Sequence, residues 1–178
     1  MSISACGRVN ADSSINNASL IWINNENSNT FRRLFRCEDV KIINDGEAHA
    51  LAVKRFDSTE YGCVCFSFGT NIGIGFLDEN QELIKALDFG NIDLNMGRYF
   101  NFQIARYLIQ SLKPKTIAVS GGGAINKTLI EPVIYLAKIY GLQFVNITKE
   151  FSEGAILGLS TLFDLLHSIM YDIFHNYF

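Results

Sequence analysis

The chain has 178 residues, a formal net charge of −3, and 48% hydrophobic against 19% charged residues. That apolar fraction supports a packed core and excludes wholesale disorder, while 14 Gly against 2 Pro exclude collagen-like and Pro-rich classes. The acidic balance argues against a primary nucleic-acid binder, which carries a basic face.

The first third reads as irregular. Residues 10–30 are rich in Asn and Ser, broken by the apolar run Leu20-Ile21-Trp22-Ile23, which predicts a short strand with Trp22 in the core. Arg32, Arg33 and Arg36 form a small basic cluster, read as a solvated face. A second short strand is predicted over 40–43, followed by the turn Asn44-Asp45-Gly46. Residues 47–56 read as a short helix, with Asp45 near its N-terminus, where an anion is favoured.

From residue 62 the pattern becomes regular. Strands are predicted over 62–69, 72–78 and 82–89, forming a three-stranded meander. A helix is expected over 97–112, stopped by Lys113-Pro114. A buried strand over 116–120 runs into Gly121-Gly122-Gly123. A helix follows over about 126–140, then a strand over 143–148. A last helix is expected from Ser152, with Glu153 in its first turn.

Within 155–178, Leu159, Leu162, Phe163, Leu166, Ile169, Met170, Ile173 and Phe174 recur at spacings of three and four. That is one face of an amphipathic helix against a core. Asp164, His167, Asp172 and His175 make the same stretch a poor membrane span.

The predicted order, β-β-β-α-β-α-β-α, implies an α/β domain with a mixed sheet and helices on both faces. It is the order of the ribonuclease-H-like fold.

The cysteines are Cys6, Cys37, Cys63 and Cys65. The opening residues carry neither the basic nor the apolar region of a signal peptide, so a reduced cytoplasmic protein is expected. Cys63 and Cys65 read as small apolar residues on one face of a strand. No pair stands at zinc spacing, so no zinc is expected. His49, His167 and His175 show no metal spacing either and read as surface or helix-face residues.

Three motifs can carry chemistry. Phe68-Gly69-Thr70-Asn71-Ile72-Gly73-Ile74-Gly75 is a Gly-rich turn between strands, able to offer backbone N–H groups and a hydroxyl to a phosphate. The same glycines equally suit a bulge or close packing. Ser120-Gly121-Gly122-Gly123-Ala124 joins a strand to a helix, where anions and flat ligands are favoured. A tight turn is the other reading. Asn44-Asp45 offers a carboxylate that can take a proton from a hydroxyl, or an Asx turn with a helix cap.

In their order along the chain, four segments resemble the ROK family of sugar kinases and repressors, within the actin-like ATPase and sugar kinase superfamily. They are VKIINDGEAHALAVKRF, GCVCFSFGTNIGIGFLDENQELIKALDFGNI, IAVSGGGAINKTLIEPVI and FSEGAILGLSTLF. CGRVNADSSI is similar to a further family segment, so the resemblance spans about residues 6 to 163.

The resemblance implies a ribonuclease-H-like nucleotide-binding lobe over 61–178, preceded by a partial first lobe over 1–60. It implies ATP-dependent phosphorylation of a hexose or N-acetylhexosamine, with magnesium. Asp45 would be the base, Asn44 and Asn91 would contact the sugar, and Gly69, Thr70, Gly73, Gly121, Gly122 and Gly123 would hold the nucleotide.

Departures from the family pattern are specific. The first phosphate loop, of the type Asp-x-Gly-Gly-Thr, is absent, so the chain reads as truncated at its N-terminus. Asn91 stands for a sugar-binding Glu, Leu94 for a His that binds sugar or zinc, and Glu47 for an Asn. The family's Cys-rich zinc segment is missing. Two classes of function follow: a carbohydrate kinase whose missing lobe part is supplied elsewhere, or a binding or regulatory relative without catalysis. A truncated lobe exposes apolar surface, so a homo-oligomer or a complementing chain is expected as partner, with no nucleic acid and no membrane.

Overall fold

The computed structural model describes residues 1–16, 18, 20–55, 62–69, 71–84, 92–93 and 97–150. Three sheets organise them. A parallel pair joins β1 (Ser2–Ala5) to β4 (Lys41–Asn44). Between them run a small antiparallel pair, β2 (Arg8–Val9) with β3 (Ile15–Asn16), and helix α1 (Ser28–Phe35). Ala5, Ile15, Ala18, Ile23, Phe31, Val40 and Ile42 form the core of this part.

Two expectations fail here. Residues Ile21–Ile23 form a 3-10 turn rather than a strand, and Trp22 is 70% exposed rather than in the core. The side chain of Asn24 accepts from the Ala18 backbone (2.7 Å), and Ile15 exchanges backbone bonds with Asn25 and Glu26. These bonds fold the run back on itself, so only Ile23 turns inward.

Helix α2 (Asp45–Ala52) follows β4 directly and continues as a 3-10 turn over Val53–Arg55. The main sheet holds β5 (Cys63–Phe68), β6 (Asn71–Leu77), β7 (Leu83–Ile84), β8 (Ile92–Asp93), β9 (Thr116–Ser120) and β10 (Gln143–Asn146). Its order is β10-β9-β5-β6-β7, with β8 also pairing β6. β5, β9 and β10 are parallel, and the pairs of β6 are antiparallel, so the sheet is mixed as expected. β5 and β9 are buried along their whole length, as strands covered on both faces must be.

Helices α3 (Gly97–Leu112) and α4 (Lys127–Tyr140) cover one face. Phe66, Phe68, Leu108, Ile117, Val133 and Leu136 fill that layer. On the other face, Ala50, Leu51 and Val53 meet Cys63, Cys65, Leu77, Ala118 and Val145. The cysteines therefore serve as small apolar packing. Burial raises both thiols, Cys65 to about 12, so neither is a ready nucleophile.

The predicted strand over 143–148 ends at Asn146, because Ile147–Glu150 already turn as a short helix, α5. The helix expected from Ser152 and most of the strand expected over 82–89 lie outside the described residues. Among the described residues, no helix is long and apolar enough to cross a membrane.

Candidate functional site

Strand β4 delivers Asn44 and Asp45 to the start of α2. Asn44 is the cap: its side-chain oxygen accepts from the Gly46 N–H at 2.8 Å, and its Nδ2 donates to the Gly7 carbonyl at 2.8 Å. Glu47 closes a capping box by accepting from the Asn44 N–H at 3.1 Å. Glu47 is thereby buried by a structural bond. Both ends of the Asn44 amide are engaged within the chain. Asp45 stands in the first turn and accepts a short local bond from the Gly46 N–H, at 3.0 Å, with its own backbone and the Asn44 side chain also acting on it. Burial holds its carboxyl above the ordinary carboxylate value, with the Gly46 bond pulling the other way. A desolvated carboxylate of raised proton affinity is the type of group that accepts a proton from a hydroxyl.

What fixes Asp45 is a seam of glycines: Gly73 and Gly75 take the close-packing role that was one of their two readings, and Gly46 joins them unannounced by the sequence. A Cβ on Gly46 would lie 2.6 Å from the Ile74 nitrogen and 2.9 Å from its oxygen. One on Gly75 would strike the Gly46 carbonyl oxygen and lie 2.6 Å from the Ala50 Cβ. A Cβ on Gly73 would lie 3.2 Å from the Gly46 Cα. Helix α2 therefore lies backbone-on-backbone across β6, its N-terminus toward the β5–β6 hairpin. The alternation Gly73-Ile74-Gly75 was the available signal, since it puts two bare positions on one strand face. Gly73 is thus accounted for by helix packing. Gly69 is exposed at the hairpin, and Thr70 lies outside the described residues, as do Asn91 and Leu94.

The second glycine run divides by position. Gly121 has φ +81°, and a Cβ there would sit 2.6 Å from the Phe68 oxygen. At Gly123 it would sit 2.8 Å from the Phe68 Cβ. These two are required by the fold. Gly122 is exposed and a Cβ there would meet nothing within 4 Å. Among the described residues no atom explains its bareness, and its backbone lies open. The turn is held from β10 and α5: Asn146 donates to the Ala124 carbonyl (3.0 Å) and Thr148 to the Gly121 carbonyl (2.9 Å). Asn126 caps α4 beyond it, accepting from the Thr128 N–H.

Phe68 ends β5, so its neighbour Gly69 in the hairpin and the turn over Gly121–Gly123 lie at the same end of the sheet. Gly69 and Gly122 thus follow the ends of β5 and β9, while the first turn of α2, which carries Asp45, crosses β6 at Gly73–Gly75. His49 lies on helix α2, one of its two expected placements, and is half-buried there. Burial lowers it to about 4, and its Nδ1 is buried without a hydrogen-bond partner among the described residues. Among the described residues, no three His, Cys, Asp or Glu side chains converge as metal ligands.

Neither a protein-family model nor a curated protein matches the chain. Solved structures do. A ROK family glucokinase from Streptomyces griseus, in complex with glucose and AMPPNP, superposes with a TM-score of 0.69 at 14% identity, covering 90% of this chain and 80% of that one. An inorganic polyphosphate/ATP-glucomannokinase from Arthrobacter sp. strain KM gives 0.61 at 15%, covering 90% and 70%. A ROK family transcriptional regulator, a homologue of the E. coli MLC protein, gives 0.61 at 16%, covering 90% and 62%. At these identities the likeness establishes the fold, an α/β architecture with the mixed sheet of the sugar kinases.

Proposed function

We propose that the chain is a ROK-like carbohydrate kinase homologue that places a sugar hydroxyl at Asp45 and a nucleotide across the glycine turns. The observation that supports this reading is the Gly46–Gly75 seam, which sets a desolvated carboxylate on the strand that leads out of the Gly69 hairpin, with Gly122 left open after β9. In it, Asp45 takes the proton of a hexose or N-acetylhexosamine hydroxyl as that oxygen attacks phosphorus. ATP, when bound, supplies the γ-phosphoryl group, whose bond to the bridging oxygen breaks and leaves ADP. Gly122 and Gly123, opening the turn that leads into α4, would carry the adenosine, and exposed Gly69, with Thr70, the phosphates. Magnesium, when bound with the nucleotide, would neutralise charge on the phosphates.

A second reading, binding without transfer, rests on Asn91 and Leu94 standing where the family carries Glu and His. The small first sheet suits this reading as well: among the described residues, β1 and β4 pair with each other alone. Mixing the chain with Mg-ATP and a panel of sugars, and following ADP release, separates the two. Sugar-dependent ADP lost in Asp45→Asn supports transfer. Sugar or nucleotide binding without ADP supports the second reading, and neither removes both.

A further inference from the structure

Strand β5 carries a serine among apolar and thiol side chains, and Ser67 is only 7% exposed. Side chains alternate between the two faces of a strand. Phe66 and Phe68 fill the layer under α3 and α4, whereas Cys63 and Cys65 pack beneath α2. Ser67 therefore projects on the α2 side. A Cβ on Gly73 would lie 3.5 Å from the Ser67 Cβ and 3.2 Å from the Gly46 Cα, which sets Ser67 beside the first turn of that helix.

Its partners across the sheet fix its place. Ser67 pairs with Gly73 of β6 on one side and with Ser120 of β9 on the other. Gly73 is one of the glycines that α2 crosses next to Asp45, and Ser120 runs directly into Gly121. Gly69 follows Ser67 by two residues. Ser67 thus stands between the strand that meets the Asp45 turn and the strand that leads to the open Gly122.

The two paired serines differ in what they touch. Ser120 is fully buried, and its Oγ meets the Cys65 Sγ at 3.9 Å. Among the described residues, no group hydrogen-bonds to the Ser67 hydroxyl. A buried hydroxyl without a partner is destabilising relative to a methyl group. Packing alone gives no reason for a serine at this position, and a bound group that accepts its hydrogen bond does.

We propose that the Ser67 hydroxyl is a catalytic donor, hydrogen-bonding a non-bridging oxygen of the phosphoryl group as it passes from ATP to the sugar oxygen at Asp45. This rests on the kinase reading above. The bond from phosphorus to the ADP oxygen breaks and the bond to the sugar oxygen forms. The sugar proton goes to Asp45, and the Ser67 proton stays on its own oxygen. A neutral donor against those oxygens stabilises the charge they carry in the transition state.

Ser67→Ala removes the hydroxyl and keeps the small side chain. The kcat of sugar-dependent ADP release should fall by about 10²- to 10³-fold, the range for loss of one such donor. The KM for sugar and the calorimetric affinity for Mg-ADP should be unchanged. Tm should hold or rise, since an unpartnered hydroxyl has gone. Ser67→Cys, a weaker donor, should fall between the two in kcat. Undiminished kcat in Ser67→Ala, while Asp45→Asn still suppresses transfer, overturns this role and leaves the kinase reading standing. A lower kcat matched by a lower Tm assigns Ser67 to the fold and also overturns it. No ADP release from the unaltered chain, with or without ligand binding, overturns the inference together with the reading it rests on.

Discussion

The glycine seam makes Gly46→Ala the most informative single substitution. The added methyl would sit 2.6 Å from the Ile74 nitrogen and 2.9 Å from its oxygen. Carbon atoms rest comfortably at about 3.5–4 Å, so α2 would have to retreat from β6 by about 1 Å. Both clashing atoms are backbone in the middle of a paired strand, so they cannot swing aside. Overpacking of this kind costs about 1–3 kcal/mol. The gain in helix propensity from Gly to Ala returns up to about 1 kcal/mol. From the middle of the overpacking range, about 2 kcal/mol, the net loss is about 1–2 kcal/mol, or roughly 2–8 °C in Tm for a chain of this size. The second consequence is positional. Asp45 moves with the helix, and a 1 Å misplacement of a reacting group costs about 10²-fold in rate. Urea and thermal denaturation read the first effect, and sugar-dependent ADP release reads the second. Gly122→Ala is the control, since its methyl meets nothing within 4 Å and should leave Tm unchanged. Equal stability of Gly46→Ala and the unaltered chain would refute the seam and the placement of Asp45 built on it.

Other outcomes follow from the same geometry. Asp45→Asn should lower phosphoryl transfer by about 10²- to 10⁴-fold. It should also raise neutral-pH stability. A carboxyl raised by burial binds its proton more tightly folded than unfolded, so the charged form costs stability above its folded value, and that cost is relieved as pH falls. The gain should therefore vanish in acid, which urea titrations at two pH values would show. Gly122→Val should abolish nucleotide binding by calorimetry while Tm holds, whereas Gly123→Ala, pressed on Phe68, should lower Tm. His49 has the opposite sign to Asp45. Its folded value is lowered from 6.5 to about 4, so its contribution is complete above pH 6.5 and lost as pH falls toward 4. That loss amounts to at most about 3 kcal/mol, and His49→Leu should flatten the acid limb of the stability curve.

The legible part of the fold was the part with long-range periodicity. The continuous apolar runs of β5 and β9 and the helical spacing of α3 each declare their partner type, because burial on two faces or one leaves its mark on every residue. The first forty residues gave less. β2 and β3 are two residues each, too short for any period, and α1 has only three apolar side chains, two of them exposed. Trp22 was misplaced because an apolar tetrad carries no sign of which way its turn will face.

The site divided in the same manner. Asn44 as a cap and Asp45 as the first-turn acid could be read locally, since both depend on neighbours within three residues. The Gly46–Gly75 contact joins residues far apart in sequence, so only the assembled sheet displays it. Likewise, three consecutive glycines look equivalent in a sequence. Only Phe68 distinguishes the two the fold requires from the one it does not.

The central claim is that Asp45 and the open turn at Gly122 form one ligand cleft. Calorimetric titration of the full chain with Mg-ATP, alone and then with hexoses and N-acetylhexosamines, tests it most directly. The account predicts nucleotide binding that tightens in the presence of one sugar and disappears in Gly122→Val. Absence of heat with every nucleotide and sugar combination, from a chain shown to be folded, would contradict it.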